Sequence, residues 1–261
     1  MDTIYIILSA LILIAIGIWF WLRRRKAAAG LPVLMYHKVI SEGQPDFLSI
    51  KRTDLEAQFQ YLKEKGYNTI LLSELEQYMV RGTPLPAKPC LVTFDDGYRN
   101  NYTEMFPLLV KYGLKANIFL VASFIDDSAG EYLRTEELLL MAKSNVEFGL
   151  HSLKHDSYKD FTLEAIKQDV DECRAVLKRL NVPVQSALAY TYGAYPKSDS
   201  LKRQSMFTLF ESLGIRMAFR IGNRKNPLPL TEKFLIQRLD IRGDESSGQF
   251  AKAIRFGKKP F

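Results

Sequence analysis

Leu91-Val92-Thr93-Phe94-Asp95-Asp96-Gly97-Tyr98 reads as an apolar strand that ends on two adjacent carboxylates and a glycine. Burying two carboxylates is costly unless something cationic or catalytic uses them. The same order recurs along the chain. Phe148-Gly149-Leu150 leads into His151, Leu34-Met35-Tyr36 into His37, Ala189-Tyr190-Thr191 into Tyr192, and Leu235-Ile236-Gln237 into Arg238. In a parallel barrel the carboxyl ends of the strands meet on one rim, where active sites are built. Random polar residues would fall at both rims. The chain has three histidines, and two of them, His151 and His155, stand four residues apart. One carboxylate with two imidazoles suits a divalent metal that keeps open positions, and it leaves the other carboxylate free to act as a base.

Between these strand ends the pattern alternates short apolar runs with helix-period segments. The strands are expected at Pro32–Tyr36, Asn68–Leu72, Cys90–Phe94, Ala116–Val121, Val146–Leu150, Ala187–Tyr190, Ile215–Phe219 and Phe234–Gln237. Leu55, Phe59 and Leu62 share one helix face, and Gly66 ends that helix. Ser73 and Glu76 have the spacing of a capping box. Tyr102 to Tyr112 ends at Gly113, and Ser200 to Leu213 ends at Gly214. Thr162 can cap a long helix whose Ile166, Val170, Cys173 and Leu177 form one stripe. Repeated β-then-α order predicts an α/β chain with a parallel sheet, closed into a distorted (β/α) barrel of seven to eight strands. An open doubly wound sheet is the alternative, but no glycine-rich phosphate loop follows the first strand.

The first 26 residues are of another kind. Ile4 to Leu22 is uncharged and almost wholly apolar, close to the length that crosses a bilayer. Trp19 and Trp21 stand at its far end, and Arg23-Arg24-Arg25-Lys26 follow at once. A cleaved signal peptide carries its positive charge before the apolar run, so the reversed order predicts a retained, single-pass transmembrane anchor. The expected division is 1–26 anchor and basic flank, 27–31 linker and 32–261 catalytic domain. Net charge is +7; four cations against Asp2 give the anchor and flank +3, and the remaining +4 is spread thinly, so no nucleic-acid partner is indicated. Cys90 and Cys173, the only cysteines, suggest neither a disulfide framework nor a thiolate metal site.

Each polar residue also has a plainer reading. Asp95 could cap the following helix, although a cap needs one carboxylate and not two. His151 and His155 could be surface histidines, His37 a core or loop histidine, and Arg238 a surface partner of Asp240.

Thr93-Phe94-Asp95-Asp96-Gly97-Tyr98 together with His151-Ser152-Leu153-Lys154-His155 resembles the polysaccharide deacetylases, carbohydrate esterase family four, and most of all the branch acting on poly-N-acetylglucosamine. The likeness extends from Leu34-Met35-Tyr36-His37 through Leu85-Pro86, Phe106-Pro107-Leu108-Leu109, Glu147-Phe148-Gly149 and Tyr190-Thr191-Tyr192-Gly193 to Gln237-Arg238. The resemblance implies a distorted barrel with one divalent metal, commonly zinc, held by Asp96, His151 and His155. It implies Asp95 as general base, the Tyr192 backbone N–H as an oxyanion donor, His37 as the acid for the leaving amine, and Arg238 as the group that orients Asp95 or keeps it ionised. Thr191 departs from the family's usual proline, and the catalytic domain has no tryptophan to serve as a sugar platform. The expected function is removal of N-acetyl groups from a glycan containing N-acetylhexosamine. A catalytically silent carbohydrate-binding barrel, and a metal-dependent esterase or amidase with another acylated substrate, are the alternatives. The basic flank argues for a cytoplasmic domain, whereas a polymeric glycan argues for an extracytoplasmic one.

Overall fold

The computed structural model describes residues 30–258, together with Tyr5, residues 12–14 and residues 16–17. The expected anchor over Ile4–Leu22 lies largely outside the described residues, and the flank Arg23–Lys26 wholly so. Among the described residues no helix is long and apolar enough to cross a membrane.

Seven parallel strands close a ring. β1 (Val33–Tyr36) pairs with β5 (Pro89–Asp96) and with β10 (Ile236–Asp240); the ring continues from β10 through β9 (Met217–Ile221), β8 (Ala187–Ala189), β7 (Val146–Leu150) and β6 (Ala116–Leu120) back to β5. Closure through the β1–β5 pairing excludes the open doubly wound sheet. β4 (Asn68–Ile70) is an eighth strand outside the ring. Leu91 pairs with Val33 and Ile70, whereas Thr93 pairs with Met35 and Asn117, so β4 sits below β6 on the same side of β5. Within residues 30–258 the α-helices are α1 (Arg52–Glu64), α2 (Leu72–Arg81), α3 (Phe106–Tyr112), α4 (Thr135–Ala142), α5 (Leu163–Arg179), α6 (Ser200–Ser212) and α7 (Ser247–Phe256).

Strand alternation splits the core in two. Val33, Leu91, Phe119, Ala187, Ala189, Met217, Phe219 and Ile236 form one buried cluster, the barrel interior. Leu34, Val92, Phe94, Ile118, Phe148 and Leu188 belong to a second, beneath the helices. Strands buried on both faces explain why they read as continuous apolar runs. The interior is tight at Gly149, where a Cβ would lie 2.6 Å from the Phe119 ring.

Several boundaries differ from expectation. Leu31, assigned to the linker, is fully buried and exchanges two backbone hydrogen bonds with Asn226. The last strand begins two residues later than expected, so Arg238 lies inside it rather than beyond it. Ser73 and Glu76 do not cap α2. Leu71 occupies the cap position, and its N–H donates to Glu74 at 2.8 Å. The Leu72 and Ser73 N–H groups donate to Asn117 and Glu147 from neighbouring strands. Thr162 does cap α5, accepting from the Ala165 N–H. The pair β2 (Lys38–Ile40) and β3 (Ser49–Lys51) was not foreseen.

Candidate active site

The parity that fills the barrel also aims the site. Leu91 faces the interior, so Asp95, four residues on, does too; Ile236 brings Arg238 to the same level, and Gly149 brings His151. Parity would send Asp96 outward. Its φ of 72°, followed by 78° at Gly97, turns the backbone out of the strand instead, and Asp is among the residues that tolerate this region. Asp95, Asp96, His151 and Arg238 are all buried.

Arg238 grips Asp95 with both ends of its fork. Nη1 lies 2.5 Å from Oδ1 and Nη2 2.7 Å from Oδ2. Such bidentate pairs fix orientation as well as charge. The guanidinium stands 5.5 Å from the Phe119 ring centre. Burial alone would raise the Asp95 carboxyl, but Arg238, with His151 beside it, holds it below the usual carboxylate value. The surface pairing of Arg238 with Asp240 is therefore not the arrangement found, and Asp95 caps no helix.

Asp96 Oδ1 lies 3.3 Å from His151 Nε2 and 3.2 Å from His155 Nε2. The three candidate ligand atoms are within 4.8 Å of one another. Asp96 Oδ1 is buried and has no hydrogen-bond partner among the described residues. His151 Nδ1 lies 2.9 Å from the Ala189 carbonyl oxygen, which can only accept, so Nδ1 carries a proton. Nε2 is left for a second proton or a cation. His155 Nδ1 meets the Tyr192 hydroxyl at 3.0 Å. An imidazole whose second nitrogen is held by a carbonyl or hydroxyl is the usual outer support of a metal ligand. The residues present fit a divalent ion. In the chain alone burial would raise Asp96, but His151 and His155 hold it well down. Burial would lower His151, and Asp95 and Asp96 more than offset that.

His37 follows β1 on the same rim. Burial lowers its pKa, outweighing the nearby charges of Asp95 and Asp96. Its carbonyl accepts from Asn101 at 2.9 Å. Tyr192 has a φ of 56° and is 71% exposed as a residue, its ring edge-on to His155 at 4.7 Å between ring centres. Thr191, which departs from the family's usual proline, donates its hydroxyl to the Asp156 carbonyl at 2.6 Å and so ties down the residue after His155.

Two features escaped the sequence reading. Asp169 of α5 accepts from the Leu153 N–H, between the two histidines, at 2.8 Å and from the Tyr158 hydroxyl, just beyond them, at 2.5 Å, which ties this loop to the helix. The signal was present: Asp169 adjoins the apolar stripe of Ile166, Val170 and Cys173. The Tyr98 and Tyr132 rings stack at 5.1 Å between centres, close enough to Asp96 for its charge to raise both phenols further after burial has done so. With Tyr192 they supply aromatic surface that no tryptophan provides.

Fold and rim together define a closed parallel-barrel protein with a two-histidine, one-carboxylate site beside an arginine-held carboxylate. The likeness to the polysaccharide deacetylase family is carried by a family model, described as polysaccharide deacetylase, that matches residues 82–208. A candidate polysaccharide deacetylase of Bacillus subtilis (strain 168), YxkH, is 28% identical over 182 residues, covering 70% of this chain and 63% of that protein. The poly-beta-1,6-N-acetyl-D-glucosamine N-deacetylase of Escherichia coli (strain K12) is 32% identical over 106 residues, 40% of this chain and 16% of that one. The chain thus spans less than two thirds of either relative. The Streptococcus pyogenes deacetylase PplD, solved in complex with acetate, shares the fold with a TM-score of 0.74 at 17% identity, over 87% of this chain and 99% of that one.

Proposed function

We propose that the chain is a metal-dependent hydrolase that removes N-acetyl groups from a polysaccharide containing N-acetylhexosamine. The observation that carries this reading is the convergence of Asp96, His151 and His155 beside an Asp95 that Arg238 holds ionised. The family match over residues 82–208 and the name of the Escherichia coli relative support the amide and the sugar.

Asp96, His151 and His155 would hold one divalent ion, zinc by the nature of the donors, which when bound lowers the pKa of water and polarises a carbonyl. Asp95 takes the proton of the attacking water. Both of its oxygens are already oriented by Arg238, and each keeps a lone pair for that proton. The Tyr192 backbone N–H serves the developing oxyanion from its tight turn. His37 delivers the proton to the departing sugar amine. Burial makes its imidazolium a readier donor than a solvated one. Tyr98, Tyr132 and Tyr192 offer the sugar rings an apolar face. The run Ile4–Leu22 serves as a single-pass anchor, with the barrel on the outer side where polymeric glycans lie. Protease accessibility on intact cells tests that side against the inward preference of Arg23–Lys26.

The deciding experiment measures acetate released by the full chain from poly-N-acetylglucosamine, chitooligosaccharides and peptidoglycan, before chelation, after it, and after zinc is returned. Acetate release that chelation abolishes and zinc restores is expected. Release that survives chelation unchanged overturns the metal dependence, and no release from any of the three overturns the substrate class.

A further inference from the structure

The connection from β9 to β10, residues 222–235, is the one crossover between neighbouring strands of the ring that carries no helix among the described residues. The outer face of β9 is therefore only partly roofed. Met217 and Phe219 fill the barrel interior, so Ala218 and Arg220 point outward. A cavity of about 660 Å³ opens there, lined among others by Tyr195, Arg203, Phe207, Arg220, Lys233 and Phe234. A second, of about 500 Å³, shares Tyr195 and Lys197 with it and reaches Gly193. Gly193 follows Tyr192, whose hydroxyl meets His155. The two cavities thus form one groove that starts beside the rim of the candidate metal site. Tyr192 and Tyr195 are three residues apart, so their Cα atoms are separated by no more than about 11 Å.

Arg220 is half-buried, and among the described residues it pairs with no carboxylate. Its Nη1 donates only to the carbonyl of the next residue, Ile221, at 3.2 Å. Its Nε is buried with no hydrogen-bond partner, an unfavourable state for a donor. The guanidinium stands 5.7 Å from the Tyr195 ring centre. Arg203 of α6 donates Nη1 to the Pro196 and Lys197 carbonyls at 3.2 and 2.6 Å, which holds it against the Tyr195 segment, and it too meets no carboxylate among the described residues. The walls carry two acids, Glu211 and Glu232. Glu211 is engaged by Lys233 at 2.7 Å, so Glu232 alone stands against Lys197, Arg203 and Arg220. The aromatic side of the groove is braced: Tyr195 packs on Tyr190 at 5.6 Å between ring centres, and Phe207 on Phe234 at 5.3 Å.

An arginine fork recognises a planar carboxylate through parallel hydrogen bonds, which a lysine cannot reproduce. Aromatic faces beside a few placed polar groups are how pockets hold and orient a ring. We propose that this groove is a subsite for an acidic sugar unit of the glycan, one whose carboxylate pairs with Arg220. The proposal rests on the deacetylase reading for the polymer at the rim. It adds that the polymer continues past Tyr192 and Tyr195 along the outer face of β9, and that it is anionic there. A chain of N-acetylhexosamine alone is uncharged, so Arg220 separates carboxylated glycans from neutral ones.

Calorimetric titration of the full chain in neutral detergent tests this, with metal removed by chelation so that no acetyl group is lost. Chitohexaose is compared with chitohexaose oxidised to the carboxylate at C6. The parent is expected to bind the carboxylated hexamer at least about tenfold more tightly. Arg220→Gln should remove most of that preference and leave affinity for the neutral hexamer unchanged; Arg220 makes no ion pair among the described residues, so the variant keeps the barrel. Acetate release by the zinc-loaded parent tests the deacetylase reading by itself, and the binding comparison judges the groove whichever way that falls. Equal affinity of the parent for the two hexamers, or no binding of the carboxylated one, overturns the proposal without any variant. A preference that survives Arg220→Gln overturns it too, since the flank Arg23–Lys26 would then be the binding element. So does a variant that weakens both hexamers alike, because Arg220 would then only support the groove.

Discussion

Arg238→Met removes both hydrogen bonds to Asp95 and keeps an unbranched stem of similar reach. The pair is almost wholly enclosed, with side-chain exposures of 1% and 3%. Removing one partner of a buried pair leaves an uncompensated charge, which typically costs about 3–5 kcal/mol. For a domain of this size each kcal/mol moves the melting temperature by roughly 2–4 °C, so a fall of about 6–20 °C is expected. Neutralising the orphan by adding Asp95→Asn should return a large part of that loss. The assay is urea unfolding of the parent, both single variants and the double variant, all after chelation so that only the chain's own charges count. The expected coupling is about 2 kcal/mol or more, within the range seen for contacting residues. Additive single effects would refute the reasoning, because they would mean that Asp95 is not held by Arg238. In the metal-loaded enzyme, Arg238→Met should keep its metal and lose most turnover.

His37→Ala should retain metal and fold, lose most turnover on an acetamide, and lose much less on an activated aryl acetate whose leaving group needs little protonation. Equal losses on the two substrates would assign His37 a positional role. Asp169→Ala should weaken metal binding by about 10- to 100-fold, read by competition with a chromogenic chelator, because the Leu153 N–H between His151 and His155 and the Tyr158 hydroxyl just beyond them both lose their tie to α5. Unchanged affinity would show that the loop holds itself. Lys225 gives a pH signature. Its folded pKa is about 8, below the ordinary value near 10.4, so between those values the unfolded chain binds more protons and stability rises with pH. Lys225→Met should flatten that part of the stability profile, and a profile identical to the parent's would exclude a depressed Lys225.

The strands and the rim were legible because strand burial and strand parity leave a local mark. Asp95 and His151 each end an apolar run, and closing the ring brings those ends together. What was not legible depends on partners far away in sequence. From the residues alone Asp95 could be seen as costly, but the fork of Arg238, 143 positions later, had an equally reasonable local alternative in Asp240, and only the family resemblance pointed to the pairing. The cap of α2 was misplaced because its N–H groups are satisfied by Asn117 and Glu147 from other strands, not by a local box. β2 and β3 have three residues each and pair only with one another, which is too short for any periodicity to show. The turn at Asp96, with φ of 72°, is a backbone property that only Gly97 hints at.

The division of labour between the two adjacent aspartates is tested most directly by one variant carrying two readouts. Asp95→Asn keeps the shape of the side chain and removes its proton affinity. Metal content and acetate release are measured on the same preparation of the full chain. The expected result is one equivalent of metal, as in the parent, with turnover reduced by about 100- to 10,000-fold. Near-normal acetate release would place the base elsewhere, and loss of the metal would make Asp95 a ligand rather than a base.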